Sequence, residues 1–146
     1  MQISTVTLTD DFEAICAQMQ PDTWGKDNEM TSYLPEKLKA CLEAGSILVL
    51  AKDGEKIAGA ALCYVLPHPA GDDSLYVHEL DTHPDYRLQG VATSLMQECF
   101  RIAAEKSLKE VWLGTETDND AANAFYKTLN PYEIEPSITY AYKNDM

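Results

Sequence analysis

The chain has 146 residues and carries 24 Asp or Glu against 11 Lys or Arg, a formal net charge of −13. That balance argues against nucleic acid and anionic membrane surfaces as partners and would attract a cationic substrate, although the same charge also serves solubility alone. With 45% hydrophobic and 24% charged residues the composition excludes disorder over the bulk of the chain and fits one domain spanning residues 1–146.

Gln2 to Leu8 alternates β-branched and polar residues and predicts a first strand. Asp10 with Glu13 forms a capping box for a helix through about Gln20, whose apolar face is Phe12, Ile15, Cys16 and Met19, and Pro21 ends it. Asp22 to Tyr33 has no clear period and predicts a loop or short helix over a binding face, with Trp24 as a packing residue. Pro35 opens a second helix through Ala44, closed by Gly45. Ser46 to Ala51 and Ile57 to Leu66 predict two strands joined by a hairpin turn at Asp53-Gly54, and Pro67 to Asp73 an exposed loop.

Leu75 to Thr82 predicts the central strand. In the following helix, to Lys106, the residues Val91, Leu95, Cys99, Ile102 and Lys106 recur at helical spacing, while Glu98, Arg101 and Glu105 face solvent. Val111 to Leu113 predicts a short buried strand. Thr117 to Asn119 offers N-caps for a helix from Ala121 to Leu129 with Phe125 and Leu129 inward, and Tyr132 to Tyr142 predicts one or two closing strands. Interleaved helices and strands make an α/β domain with a mixed central sheet.

Cys16, Cys41, Cys63 and Cys99 form no CxxC pair and sit among apolar neighbours. They read as buried free thiols in a reducing compartment rather than as disulfides or metal ligands, and no metal site is expected. The N-terminus lacks the basic and apolar regions of a signal peptide, and no apolar run approaches about 18 residues, so the expected location is the cytoplasm.

The stretch Tyr86-Arg87-Leu88-Gln89-Gly90-Val91-Ala92 joins the Leu75 to Thr82 strand to its helix. A helix N-terminus presents unpaired N–H groups and a partial positive charge. No Asp or Glu occurs between Tyr86 and Gln97, Arg87 stands at the mouth, and Gly90 and Ala92 remove bulk. These features predict a pyrophosphate cradle. The lysine of a P-loop is absent around Gly90, which disfavours a simple nucleotide-phosphate binder.

Arg87-Leu88-Gln89-Gly90-Val91-Ala92 resembles the Arg/Gln-x-x-Gly-x-Gly/Ala loop of GNAT superfamily N-acetyltransferases, and the spacing to Ala124-Phe125-Tyr126-Lys127 fits as well. The runs Tyr76 to Leu80, His83 to Arg87 and Asp118 to Tyr126 look most like aminoglycoside 3-N-acetyltransferases of the small, single-domain type. Glu79 stands where those enzymes usually have Asp, and Asn130 replaces the glycine that commonly follows the tyrosine-bearing helix. The resemblance implies a single-domain GNAT-like fold, α/β with a mixed, mostly antiparallel central sheet flanked by helices. It also implies acetyl-CoA as cofactor and a homodimer as a common assembly.

On that resemblance, Arg87 and the amides of Leu88, Gln89, Gly90, Val91, Ala92 and Thr93 hold the diphosphate, while the pantetheine arm lies along Leu80, Asp81 and Thr82. A β-bulge in that strand would expose its backbone groups. Glu79 is the first candidate for the base that accepts the amine proton, Asp81 is an alternative, and His78 reads more readily as structural. Tyr126 is the candidate acid for the departing thiolate, with packing beside Phe125 as its other reading. Asn119 and Asn123 are candidate cofactor contacts or plain solvent-facing amides. Glu79, Glu116 and Asp118 are the candidate substrate carboxylates, in an acidic rim with Asp72, Asp73, Asp120, Glu133 and Glu135. The implied reaction is acetyl transfer to a primary amine of a small cationic acceptor, first of all the 3-amino group of an aminoglycoside. A polyamine, an amino acid or a protein N-terminus is the alternative acceptor, and a non-catalytic acyl-CoA sensor the alternative class.

Overall fold

A computed structural model describes residues 1–24 and 32–145. The chain forms two compact units, Met1–Leu113 and Gly114–Met146.

The first unit holds strand β1 (Gln2–Thr5), helices α1 (Phe12–Gln18), α2 (Pro21–Trp24) and α3 (Pro35–Glu43), strands β2 (Ile47–Asp53), β3 (Lys56–Leu66) and β4 (Ser74–Thr82), helix α4 (Val91–Glu105) and strand β5 (Glu110–Trp112). The five strands form one sheet in the order β1-β2-β3-β4-β5. The first four are antiparallel neighbours, and β5 runs parallel to β4. This is the mixed, mostly antiparallel sheet flanked by helices that the resemblance implies. The strand expected at the centre, β4, is fourth in order, because β1 adds to the outer edge of β2 and leaves β3 in the middle.

Both faces of β2 and β3 are covered, which is why they read as nearly unbroken apolar runs. On one face Ile15 and Cys16 of α1 and Leu38 of α3 bury Leu48, Leu50, Ala60 and Leu62. On the other lies α4, with Val91, Leu95, Met96, Cys99, Ile102 and Ala103 buried. The α4 contact is close: a Cβ on Gly59 of β3 would sit 2.5 Å from Val91 Cγ1, 3.0 Å from the Asp81 carbonyl oxygen and 3.0 Å from Leu95 Cδ1. Gly59→Ala is therefore expected to cost about 1–3 kcal/mol by overpacking, measured as a lower urea midpoint at unchanged m-value.

Cys16, Cys63 and Cys99 are buried free thiols and Cys41 is partly buried, with the Cys63 and Cys99 sulfurs 3.6 Å apart between β3 and α4. Trp24 is fully buried and its indole N–H donates to the Gln18 carbonyl at 2.8 Å, as befits a packing residue. No helix among the described residues is long and apolar enough to cross a membrane.

Several local expectations need correction. Asp11, not Asp10, caps α1 by accepting from the Ala14 N–H at 3.0 Å, while Asp10 turns back to the Thr7 N–H at 2.8 Å. Pro21 opens α2 instead of ending α1, since its missing N–H is no loss at a helix start. The first strand stops at Thr5, and of the stretch from Asp22 to Tyr33, positions 25–31 lie outside the described residues. Lys106 is the exposed C-cap of α4, one residue past the helix and three past Ala103, the last buried residue of its apolar stripe. β5 begins at Glu110 and is only half-buried, because nothing pairs with its outer edge within this unit.

The second unit contains helix α5 (Asp120–Lys127), capped by Asn119, whose side-chain oxygen accepts from the Ala122 N–H at 3.1 Å. Phe125 and Leu129, expected to point inward, are half-buried. The closing strands expected from Tyr132 to Tyr142 are not formed: residues 131–145 hold no strand, and Ile134, Ile138, Tyr140 and Tyr142 are exposed. Alternation supplies a face but not a pairing partner, and Pro131 and Pro136 each remove a ladder donor.

Candidate active site

Two features of the first unit carry most of the candidate residues: the turn between β4 and α4, and the middle of β4 itself.

β4 is followed by a 3-10 turn, Pro84–Tyr86, whose preceding residue His83 accepts the Asp85 N–H on Nδ1 at 3.1 Å. Tyr86 donates its hydroxyl to Asp53 at 2.7 Å and Lys56 pairs with Asp85 at 3.0 Å, so the turn is tied to both strands of the β2–β3 hairpin. Gln89 then reaches back to the Asp85 carbonyl at 3.2 Å. Leu88 at φ 60° and Gly90 at φ 79° both adopt left-handed backbone, which swings the chain into α4. Only at Gly90 does a glycine relieve the strain, and beyond its immediate chain neighbours nothing lies within 4 Å of where its Cβ would be.

Gly90 is the N-cap of α4 and supplies no side-chain cap, and the first turn of this 15-residue helix has no acidic residue. No side chain caps its leading amides at the positive end of its dipole, and Leu88 is fully exposed beside them. The stretch expected to form the cradle, Arg87 to Thr93, thus combines an uncapped helix start, open space at Gly90 and a first helical turn without an acidic residue.

His83, at the start of the turn, is the buried polar residue of the described core, with the Trp24 ring edge-on at 5.7 Å. Burial first, then the Lys56 ammonium, hold its imidazole below the ordinary histidine range, while Asp85 pulls weakly the other way. A folded-state value below the unfolded one, about 6.5, means that the folded chain binds fewer protons. The sign follows: stability is full above the unfolded value and is lost as pH falls through the window down to the folded value. The urea midpoint is expected to drop as pH falls below about 6.5, and to drop less in His83→Asn, whose amide oxygen can accept the same N–H.

The middle of β4 departs from regular pairing. Leu62 pairs with Glu79 but Cys63 pairs with Val77, so β4 carries His78 as one extra residue, a β-bulge. Before the bulge Leu75 and Val77 are buried toward α4; after it Glu79 lies opposite Leu62 on the face of α1 and α3. His78 and Glu79, consecutive in sequence, thus share a face. The Tyr64 ring lies 5.5 Å from that of His78 and also feels the Glu79 charge.

Glu79 is partly buried, and its Oε2 accepts the Tyr33 hydroxyl at 3.2 Å. Burial, then the Glu79 carboxylate, push the Tyr33 phenol far above its usual range, so it stays a hydrogen-bond donor at any working pH. Asp81 acts on Tyr33 in the same sense and pairs with Ala60 of the same face, which places both candidate carboxylates together. Tyr33 went unnoticed in the sequence because it ends an aperiodic stretch; only the fold brings it to a strand 46 positions away.

The remaining candidates are in the second unit, around the start of α5. Asn119 is committed to capping, and Asn123 donates to the carbonyls of Glu116 at 2.9 Å and Asn119 at 2.8 Å. Tyr126 lies on α5 with its ring 5.2 Å from that of Phe125, and Glu116 and Asp118 are exposed in the turn before the helix.

The sequence is 34% identical over 80 residues to N-alpha-acetyltransferase 30 of Schizosaccharomyces pombe, a match that covers 55% of this chain and 53% of that protein. The chain therefore spans about half the length of the curated relative it matches. Among solved structures, it is similar to an aminoglycoside acetyltransferase from an uncultured soil metagenomic sample, in complex with trehalose, at TM-score 0.85 and 19% identity over 99% of this chain and 96% of that one. It is also similar to the ribosomal-protein-alanine N-acetyltransferase of Brucella melitensis biovar Abortus 2308, at TM-score 0.71 and 18% identity over 97% of this chain and 100% of that one. The family model for GNAT acetyltransferases matches residues 12–130, which takes in the whole β4 to α4 turn and the bulged strand: the chain belongs to the GNAT acetyltransferase family.

Proposed function

We propose that residues 1–146 act as one N-acetyltransferase that moves an acetyl group from acetyl-CoA to a primary amine of a small cationic acceptor, the 3-amino group of an aminoglycoside being the leading case. Acetyl-CoA, the donor generally used in the family, would supply the activated thioester. The amides from Leu88 to Thr93, with Arg87, hold its diphosphate, and Leu80 to Thr82 guide the pantetheine arm. Glu79 accepts the proton of the attacking amine, and its approach is favoured because a carboxylate stabilises the incoming ammonium before it is deprotonated. Tyr33 orients that carboxylate. Tyr126 is assigned, on the family resemblance, to protonating the departing thiolate, and Glu116 and Asp118 to the acidic rim.

The observation that carries this reading is Glu79 itself: a carboxylate at a bulge, held by a half-buried tyrosine, on the strand that leads into an uncapped helix start. A second acceptor class, a peptide N-terminus, is favoured by the likeness to an N-alpha-acetyltransferase. Thiol release from acetyl-CoA with a panel of aminoglycosides, polyamines and short peptides separates the two. Turnover with aminoglycosides is expected; turnover with peptides alone moves the acceptor to the second class, and CoA binding without turnover on any amine defeats the enzymatic reading.

A further inference from the structure

Beside Glu79, on the same face, four aromatic rings form a continuous patch that the proposed chemistry does not use. The β4–β5 register sets Tyr76 opposite Trp112, with ring centroids 4.4 Å apart. Tyr64 of β3 lies 6.5 Å from Tyr76, and the bulge adds His78 at 5.5 Å from Tyr64 and 5.6 Å from Tyr76. The patch is not core. Trp112 is 42% exposed, His78 is exposed, and Tyr64 and Tyr76 are half-buried. Its geometry is nonetheless held: the Trp112 indole N–H donates to Ser74 Oγ at 3.1 Å, which fixes the ring plane.

Ring faces carry negative potential and attract ammonium groups. The chain uses this elsewhere, where Lys56 sits 5.4 Å from the Tyr86 centroid, but none of the described lysines or arginines stacks on these four rings. A chain of net charge −13 concentrates cations at its surface, and the carboxylate of Glu79 adjoins the patch.

We propose that Tyr64, Tyr76, His78 and Trp112 form a second cation subsite, which holds an ammonium group of the acceptor other than the one acetylated. The subsite rests on the acceptor site proposed above and narrows its substrate class to amines with two or more positive charges. Glu79 receives the reacting amine and the rings hold the other, so that a monoamine fills only half the site. Linear polyamines and amino sugars share this chemistry.

The test is calorimetric binding to the full chain at about pH 8. The probes are spermidine, an aminoglycoside and butylamine. Both multiply charged probes are expected to bind more tightly than butylamine. Tyr76→Leu should weaken them roughly five- to tenfold, the scale of one exposed cation–π contact. Tyr76→Phe, which keeps the ring face, should bind as wild type, and butylamine should be unaffected by either change. Matching thermal melts show that the variants fold, and His78→Leu, at an exposed position, provides the same comparison if Tyr76→Leu does not. Equal affinity for butylamine and spermidine, unchanged binding in the Leu variants, or no amine binding at all overturns the subsite. Tighter binding of only one multiply charged probe tells polyamine from amino sugar. Acetyl transfer that persists while the preference for multiply charged amines is absent defeats the subsite and leaves the acetyltransferase reading standing.

Discussion

Glu79→Gln is expected to lower kcat by roughly 10²–10⁴-fold, the range supplied by a positioned general base, while the acetyl-CoA affinity stays within a few-fold of wild type. The amide keeps the size of the side chain and can still accept the Tyr33 hydroxyl, so β4, its bulge and the cradle are undisturbed. What it loses is the ability to take a proton. The loss should be largest where the amine is mostly protonated and should shrink as pH rises, because free amine then needs less help. Steady-state kinetics across pH check this; a variant as fast as wild type at every pH would return Glu79 to a purely structural role and move attention to Asp81, on the same face.

Gly90→Asp should act at the other end of the site. Aspartate is a good N-cap and tolerates left-handed backbone better than most residues, so α4 and the fold should survive. Its carboxylate, however, would occupy the open space before the first-turn amides and repel a diphosphate. CoA affinity is expected to fall on the order of a hundredfold, from lost amide contacts and like-charge repulsion together. Gly90→Asn separates the two causes: it has the same bulk without the charge and should lose less. Titration calorimetry with CoA measures both, and wild-type affinity in Gly90→Asp would remove the cradle from α4.

These two residues also mark what the sequence made legible. The uncapped start of α4 could be seen from residue types alone, since an acid-free stretch in so acidic a chain is a local signal and the helix that follows is strongly periodic. The burial of β2, β3 and α4 was legible for the same reason: apolar spacing reports directly on which faces are covered. Order in the sheet was not, because the residues of Leu75 to Leu80 read the same whether a strand is third or fourth. Nor was the bulge. His78 occupies a position whose pairing depends on β3, and only the register brings it to the face of Glu79. Tyr33 was invisible in the same way, as a contact across 46 positions. The caps show a finer limit: Asp10 and Asp11 are chemically identical neighbours, and which one caps α1 is settled by the preceding Thr7 turn. Tyr132 to Tyr142 shows the converse, a convincing strand pattern in a segment that has no strand to pair with in its own unit.

The bulge has a chemical consequence beyond placement. By adding one residue it turns a strand that would alternate strictly into one that offers His78 and Glu79 together, with Tyr33 and Tyr64 of the same face on either side. The proposed proton acceptor thus comes to lie beside the aromatic patch through a single irregularity.

The measurement that bears most directly on acetyl transfer by direct attack is a mass analysis of both products after incubating the chain with acetyl-labelled acetyl-CoA and an aminoglycoside. Label on an amine nitrogen of the acceptor, free CoA in equal amount and no label on the protein is the predicted result. Label retained on the protein, or CoA released with unlabelled acceptor, would contradict it.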